Sequence, residues 1–371
     1  MASSFRRTAH IFRSFALPVA VLAAGLSIAH AASEKAAGDK TEPLTIARQG
    51  SFFVGGHDVK SEALSTVPNF AADGTITVDQ VYVRYQIPMH PKSWSVTLIH
   101  GCCLTGKSWE TTPDGRPGWD EYFVRKGMST YVIDQAWRGR SAANPSAVNT
   151  VHAGKAAPDS LPAFISAGRE GAWTLFRFGA KYPDVFDGVQ FPLEAKDEFW
   201  KQMVPDWGYS MKPPVPTVPA LSELAQKLGS TVLISHSQSG IYPFQTAAIS
   251  PKGIAAIVSI EPGACPAADA DMTSLKTIPV LVMFGDFVDK SSFWSQRLTS
   301  CRAFAEAAKA KGVDIEVITL PDVGMHGNTH MLMQDKNNLK VADWVIAWLS
   351  KHIEKKHASL GSEELQVRYG L

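Results

Sequence analysis

The residues most able to do chemistry are Ser235-His236-Ser237-Gln238-Ser239-Gly240. They follow a short apolar run, Thr231 to Ile234, and precede a helical stretch from Ile241 to Ile249. A strand, a tight turn centred on one serine and then a helix lifts a hydroxyl clear of a sheet edge as a nucleophile. The usual pattern has glycine two residues to either side, because the turn leaves little room; here Ser235 and Ser239 hold both places. A serine hydroxyl is a weak nucleophile at neutral pH, so it needs a base and a group that orients the base. Such a set attacks a carbonyl carbon and passes the acyl group to water.

The partners belong in loops further along the chain. After the run Ile315 to Leu320 come Asp322-Val323-Gly324-Met325-His326-Gly327-Asn328-Thr329-His330, which offer His326 and His330 as bases. Two places offer the acid. Asp286 and Asp289 follow the run that ends at Phe284, and Glu261 follows Ser259-Ile260, 24 residues after Ser237. The strand ending Leu98-Ile99-His100-Gly101 leads to Cys102, and the nucleophile is followed by Gln238. The backbone amides of Cys102 and Gln238 would receive the oxyanion of a tetrahedral intermediate; losing one such donor costs about 10²–10³ in rate.

These loops need a sheet to hold them. Ser51 to Val54 and Thr75 to Gln86 alternate like half-buried antiparallel strands. Short apolar runs of the kind buried on both faces of a parallel sheet then recur at 96–99, 130–133, 231–234, 254–260, 280–284 and 315–320. Helical patterns lie between them, including Phe293 to Lys311 and a last helix marked by Val341, Trp344, Val345, Trp348 and Leu349. The fold class is therefore α/β, a mostly parallel sheet with helices on both faces. One interval, about 143–220, has no strand pattern. Its part from Pro183 to Pro219 carries seven prolines and six aromatic residues, and reads as a lid-like insertion or as an excursion packed on itself.

Composition narrows the class. The chain has 371 residues, 36 Lys+Arg against 35 Asp+Glu, and 45% hydrophobic residues. A near-zero net charge gives no field for nucleic acid, and the apolar content suffices for a full core. Residues 1–31 read as a signal peptide: Arg6, Arg7 and Arg13, an uncharged stretch from Phe15 to Ala29, and Ala29-His30-Ala31 as cleavage site. A polar leader at 32–48, the enzyme domain at 49–357 and a tail at 358–371 follow. The expectation is an exported protein, periplasmic or secreted, with no membrane span after cleavage. The four cysteines, Cys102, Cys103, Cys265 and Cys301, then point to disulfides rather than to a metal.

Taken together, His100-Gly101-Cys102-Cys103, Asp134-Gln135 with Arg138-Gly139-Arg140-Ser141, the Ser237 hexapeptide, Ser259-Ile260-Glu261-Pro262 and the run from Gly327 to Asn337 resemble a known family. It is the secreted bacterial esterase family within the α/β-hydrolases that carries adjacent cysteines at the oxyanion hole, and the likeness runs from about residue 48 to 352. The resemblance implies Ser237 as nucleophile, His330 rather than His326 as base, and Glu261 ahead of Asp286 and Asp289 as acid. It also implies disulfides Cys102–Cys103 and Cys265–Cys301. Asp134-Gln135-Ala136-Trp137-Arg138 departs from the family, where a Pro-Gly-like turn is more usual.

The expected activity is hydrolysis of a small to medium carboxylic ester through an acyl-enzyme, with no metal and no organic cofactor. Three rivals use the same chain differently. A lactonase would open cyclic esters with the same residues, a non-catalytic binding protein would use the fold alone, and a thiol–disulfide protein would work at Cys102–Cys103. Partners other than a small ester or lactone have no signal, and the oligomeric state has none either.

Overall fold

The computed structural model describes residues 42–369, with side chains to Ile353. The expected signal peptide and residues 32–41 of the leader lie outside the described residues. The chain divides after Leu44, and everything below concerns the unit that begins at Thr45.

Eight strands form one sheet: β1 (Ile46–Ser61), β2 (Gly74–Pro88), β3 (Ser95–Ile99), β4 (Thr130–Asp134), β5 (Thr231–His236), β6 (Ile254–Ile260), β7 (Val280–Phe284) and β8 (Ile315–Thr319). Their spatial order is β1-β2-β4-β3-β5-β6-β7-β8. β2 runs antiparallel to both of its neighbours, and every pairing from β4 to β8 is parallel. This is the α/β architecture read from the apolar runs. The two antiparallel strands are longer than expected, because only their central residues alternate cleanly. β1 forms the edge and stays largely exposed, with Arg48, Asp58 and Lys60 among its residues, charges that discourage pairing with another sheet.

The helices are α1 (Trp119–Arg125), α2 (Ser146–His152), α3 (Arg169–Leu175), α4 (Lys196–Trp200), α5 (Thr217–Leu228), α6 (Tyr242–Ile249), α7 (Ser292–Ala310) and α8 (Asn338–Tyr369). α8 runs on through the segment set apart as a tail. Among the described residues no helix is long and apolar enough to cross a membrane.

Period-two alternation splits each buried strand between two cores. Leu98, Ile234 and Val258 face α1 and α8 together with Trp119, Phe123 and Val345. Ile99, Leu233 and Ile257 face α5, α6 and α7 together with Leu224, Phe244 and Phe304. The insertion has helices and turns, and its one isolated bridge joins Ile165 to Asp206. Its aromatic residues divide between buried rings and exposed ones such as Phe164 and Tyr209. Phe178, Phe191 and Phe199 are fully buried and pack tilted or edge-to-face, with centroids 4.4–5.8 Å apart, within the first core.

Candidate active site

All the residues singled out for chemistry sit at the carboxyl ends of the parallel strands. That edge is where open α/β sheets bind ligands, beside the point at which strand order reverses. Here it reverses around β3, flanked by β4 and β5.

Ser237 begins the turn after β5 with φ of 58°, in the left-handed region that L residues rarely adopt. The turn is held by its own side chains. Ser239 Oγ accepts from the His236 amide at 3.2 Å and donates to the His236 carbonyl at 3.0 Å. That dual use explains a serine where glycine is usual. The tight approaches lie one residue along and across the cleft. A Cβ on Gly240 would stand 2.5 Å from Pro262 Cβ, and one on Gly101 would stand 2.8 Å from Ser237 Cβ.

His330 lies opposite. Its Nε2 is 2.9 Å from Ser237 Oγ and its Nδ1 is 2.9 Å from Glu261 Oε2. The ring is fully buried between Phe176 (5.7 Å, 12° between planes) and Trp294 (4.3 Å, 33°). Burial lowers its pKa below the usual imidazole value, against the pull of the Glu261 carboxylate. The loop that carries it is tied down by Asp335, buried beneath, which accepts from the Thr329 amide and hydroxyl, each at 2.8 Å. Burial pushes the Asp335 pKa up to about 7 in spite of those bonds.

Glu261 is also fully buried and takes φ of 51°. Burial opposes its ionisation, but Arg177 and His330 outweigh that cost and hold its pKa at about 2. Arg177 grips both carboxylate oxygens, at 2.8 and 2.5 Å, while the Gly285 amide also donates to Oε1. Neither Arg177 nor Phe176 was singled out in the sequence. Both lie in the insertion, where position along the chain says nothing of proximity to β6; a buried-type arginine between two phenylalanines was the only trace.

His326, Asp286 and Asp289 share that edge but make no contact in the line from Glu261 through His330 to Ser237. His326 is 71% exposed and 3.8 Å from Asp286. Asp286 accepts from the Gly327 amide at 2.8 Å and so shapes the histidine loop without touching His330. Asp289 is exposed and paired with Lys290.

The loop after β3 approaches Ser237 from the other side. Asp206, wholly buried, accepts from the Cys103 amide at 3.0 Å and pairs with Arg138 at 3.2 Å. Arg138 in turn donates to the Gln238 side chain at 3.0 Å. One buried ion pair thus ties together the two stretches carrying Cys102 and Gln238. The Asp134 to Ser141 motif supports this rim. Asp134 accepts from the Gly106 and Arg140 amides, and a Cβ on Gly139 would stand 2.6 Å from its Oδ2.

Cys265 and Cys301 form a disulfide with an S–S distance of 2.07 Å. The sulfurs of Cys102 and Cys103 lie 2.7 Å apart, beyond the 2.07 Å of the Cys265–Cys301 bond and well inside the contact distance of unbonded sulfurs, and a bridge between them is kept as a proposal. Neighbouring Cα atoms sit 3.8 Å apart across a trans peptide, short of the usual disulfide span, so closure has a geometric cost. Among the described residues these two cysteines and Asp206 are the trio whose ligand atoms could meet one cation. The carboxylate is already engaged by Arg138 and the amides of Cys103 and Gly208, which leaves it a poor ligand.

No family model matches the chain. A probable secreted lipase from a fungus (strain ATCC 74256) is 26% identical over 335 residues, covering 73% of this chain and 86% of the relative. A bacterial esterase solved at atomic resolution is 59% identical, with a TM-score of 0.83. That match covers 84% of this chain and 98% of the esterase. With such identity over nearly the whole of a solved bacterial enzyme, and with its sheet order and site edge, the chain belongs to the esterase/lipase family of α/β-hydrolases.

Proposed function

We propose that this ester hydrolase works through an acyl-enzyme on Ser237, with His330 as base and Glu261 as its orienting acid. The observation that carries the reading is the unbroken line from Glu261 through His330 to Ser237, each contact 2.9 Å, at the strand edge. His330 Nε2 takes the proton of Ser237 Oγ as that oxygen bonds to the ester carbonyl carbon. The oxyanion is received by the amides of Cys102 and Gln238. Glu261 stabilises the imidazolium, which returns its proton to the departing alcohol oxygen as the C–O bond breaks. Water, deprotonated by the same nitrogen, then attacks the acyl carbon; the acid leaves and Ser237 regains its proton. A lactone would open by the same steps, with its alcohol still tethered to the acyl group.

Export fits the charged and apolar pattern of residues 1–31 together with the Cys265–Cys301 bridge. The test of the chemistry is labelling of the mature protein with a fluorophosphonate and mapping of the modified peptide. An adduct on Ser237 that is lost in His330→Ala supports the reading. A folded protein that takes no label, or ester hydrolysis that survives Ser237→Ala, overturns it. A panel of linear esters and lactones then separates the two substrate shapes.

A further inference from the structure

We propose that Arg177 is a positioning residue of the catalytic centre: it holds the acid against His330 and sets the pH at which the Glu261–His330 pair takes up its inactivating proton. The inference rests on the triad reading above and adds a fourth member to it, drawn from the insertion.

The geometry is that of a clamp. Arg177 is 1% exposed, and its two terminal nitrogens donate to the two oxygens of Glu261. Its Nε donates to the Asp286 carbonyl at 2.8 Å, so the plane of the guanidinium is itself fixed. Glu261 Oε2 is shared between Arg177 and His330 Nδ1, and Oε1 between Arg177 and the Gly285 amide. A carboxylate with four donors on two oxygens cannot rotate about its last bond without breaking two of them. A planar two-pronged donor is the side chain suited to that task.

The same segment grips the base. The His330 amide donates to the Phe176 carbonyl at 3.0 Å, and the Trp294 indole donates to the Leu175 carbonyl at 2.7 Å. Phe176 and Trp294 are the two rings that enclose His330. Residues 175–177 thereby set the base and its acid relative to one another.

The electrostatic consequence has a definite sign. In a dry site, a lone carboxylate touching an imidazole favours a proton on the pair and raises the pH at which it is given up. Arg177 cancels that charge, so His330 faces a neutral ion pair and gives up its proton more readily. The sign holds whichever member of the pair carries the proton, because the positive charge disfavours protonation of both. Of the other titratable groups near the ring, Asp335 also feels the Arg177 charge, which lowers its pKa, so direct titration of the His330 nitrogens is what separates the two. His236, at 4.6 Å between ring centroids, is buried and held neutral. Asp335 faces Thr329 and Asn328, and Asp286 faces Gly327 and His326.

The experiment is the pH dependence of kcat and kcat/KM on a soluble ester for the wild type, Arg177→Met and Arg177→Lys. The ring nitrogens of His330 are titrated by NMR in each protein alongside. The wild-type acid limb is expected below 6.5, the ordinary imidazole value. Arg177→Met is expected to move it up by about one unit or more. The same variant should lower kcat about tenfold or more while KM changes little. Arg177→Lys, which keeps the charge and loses the fork, should return the limb towards the wild-type position and leave kcat low. A wild-type limb at or above 6.5, or an Arg177→Met limb on top of the wild type, overturns the proposal. So does Arg177→Lys with unchanged kcat, which decides the matter if Arg177→Met does not fold. A wild type without ester hydrolysis would defeat the triad reading instead, and the NMR titration of His330 would still test the role of Arg177.

Discussion

Gly101→Ala should disable the enzyme while leaving it folded. Gly101 does not use a positive φ, so alanine is acceptable to its backbone. The obstacle is contact. The added Cβ would lie 2.8 Å from Ser237 Cβ, 2.8 Å from His236 Nδ1 and 3.1 Å from the His236 carbonyl oxygen. Carbon atoms rest at about 3.5–4.0 Å, so roughly 0.7 Å or more must be found between the loop after β3 and the serine turn. The turn is pinned by Ser239, and the loop by the Asp206–Arg138 pair, so neither side yields freely. The displacement falls on the contact between Ser237 and His330 and on the spacing of Cys102 from Ser237. A misplacement of this size costs about 10²-fold, and a weakened oxyanion donor adds to it. The expected loss in kcat/KM is therefore about 10²–10³, equivalent to about 2.7–4 kcal/mol, mostly in kcat. The cost in stability should stay within about 1–3 kcal/mol, as for other overpacked sites. Initial rates on a chromogenic ester, a fluorophosphonate titration of active sites and a thermal melt measure all three. A folded Gly101→Ala within threefold of the wild-type kcat/KM would refute the close-approach argument.

Other outcomes follow from the same geometry. Asp206→Asn leaves the buried Arg138 guanidinium without its counter-charge, and should cost about 3–5 kcal/mol in urea unfolding and lower kcat in the protein that remains folded. An unchanged kcat would reduce the pair to scaffolding. Replacing Cys265 and Cys301 by serine opens a link across 36 residues and should cost about 4 kcal/mol by loop entropy; equal denaturation midpoints for bridged and unbridged protein would contradict this. Glu261, with its pKa held at about 2, ionises in the fold well below the ordinary value near 4.3. Between those two values the unfolded chain binds a proton that the fold does not, so stability is full above them and falls with acid, by about 3 kcal/mol. Urea midpoints from pH 6 to pH 2 should therefore fall more steeply for the wild type than for Glu261→Gln, and parallel curves would count against it.

Much of the sheet was legible because parallel strands buried on both faces have a distinctive composition. Runs such as Val96 to Ile99 and Ile254 to Ile260 match β3 and β6 almost to the residue. The serine turn was legible from its place between a strand and a helix, although its glycines are missing. Local pattern could not choose between His326 and His330, since both occupy the same loop; what separates them in space is that one faces the core and the other solvent. The contribution of the insertion was illegible for a different reason. Phe176, Arg177 and Asp206 reach His330, Glu261 and Cys103 across 84 to 154 residues, and no periodicity encodes such contacts. The long hairpin and the extension of the last helix were understated because polar, exposed positions carry little of the pattern on which the reading relied.

The segment from Leu175 to Phe178 also bears on how this scaffold can be re-engineered. Exchanging the insertion as a cassette would assume that catalysis resides in the sheet alone. Here that seam runs through the machinery: a graft across 143–220 would discard the guanidinium that clamps Glu261 and the carbonyl that receives the His330 amide. It would also discard Asp206, which holds the loop on the opposite side. Chimaeras that keep residues 175–178 and 203–208 and vary only the stretches between and before them should retain turnover, whereas wholesale transplants should yield folded, inert proteins.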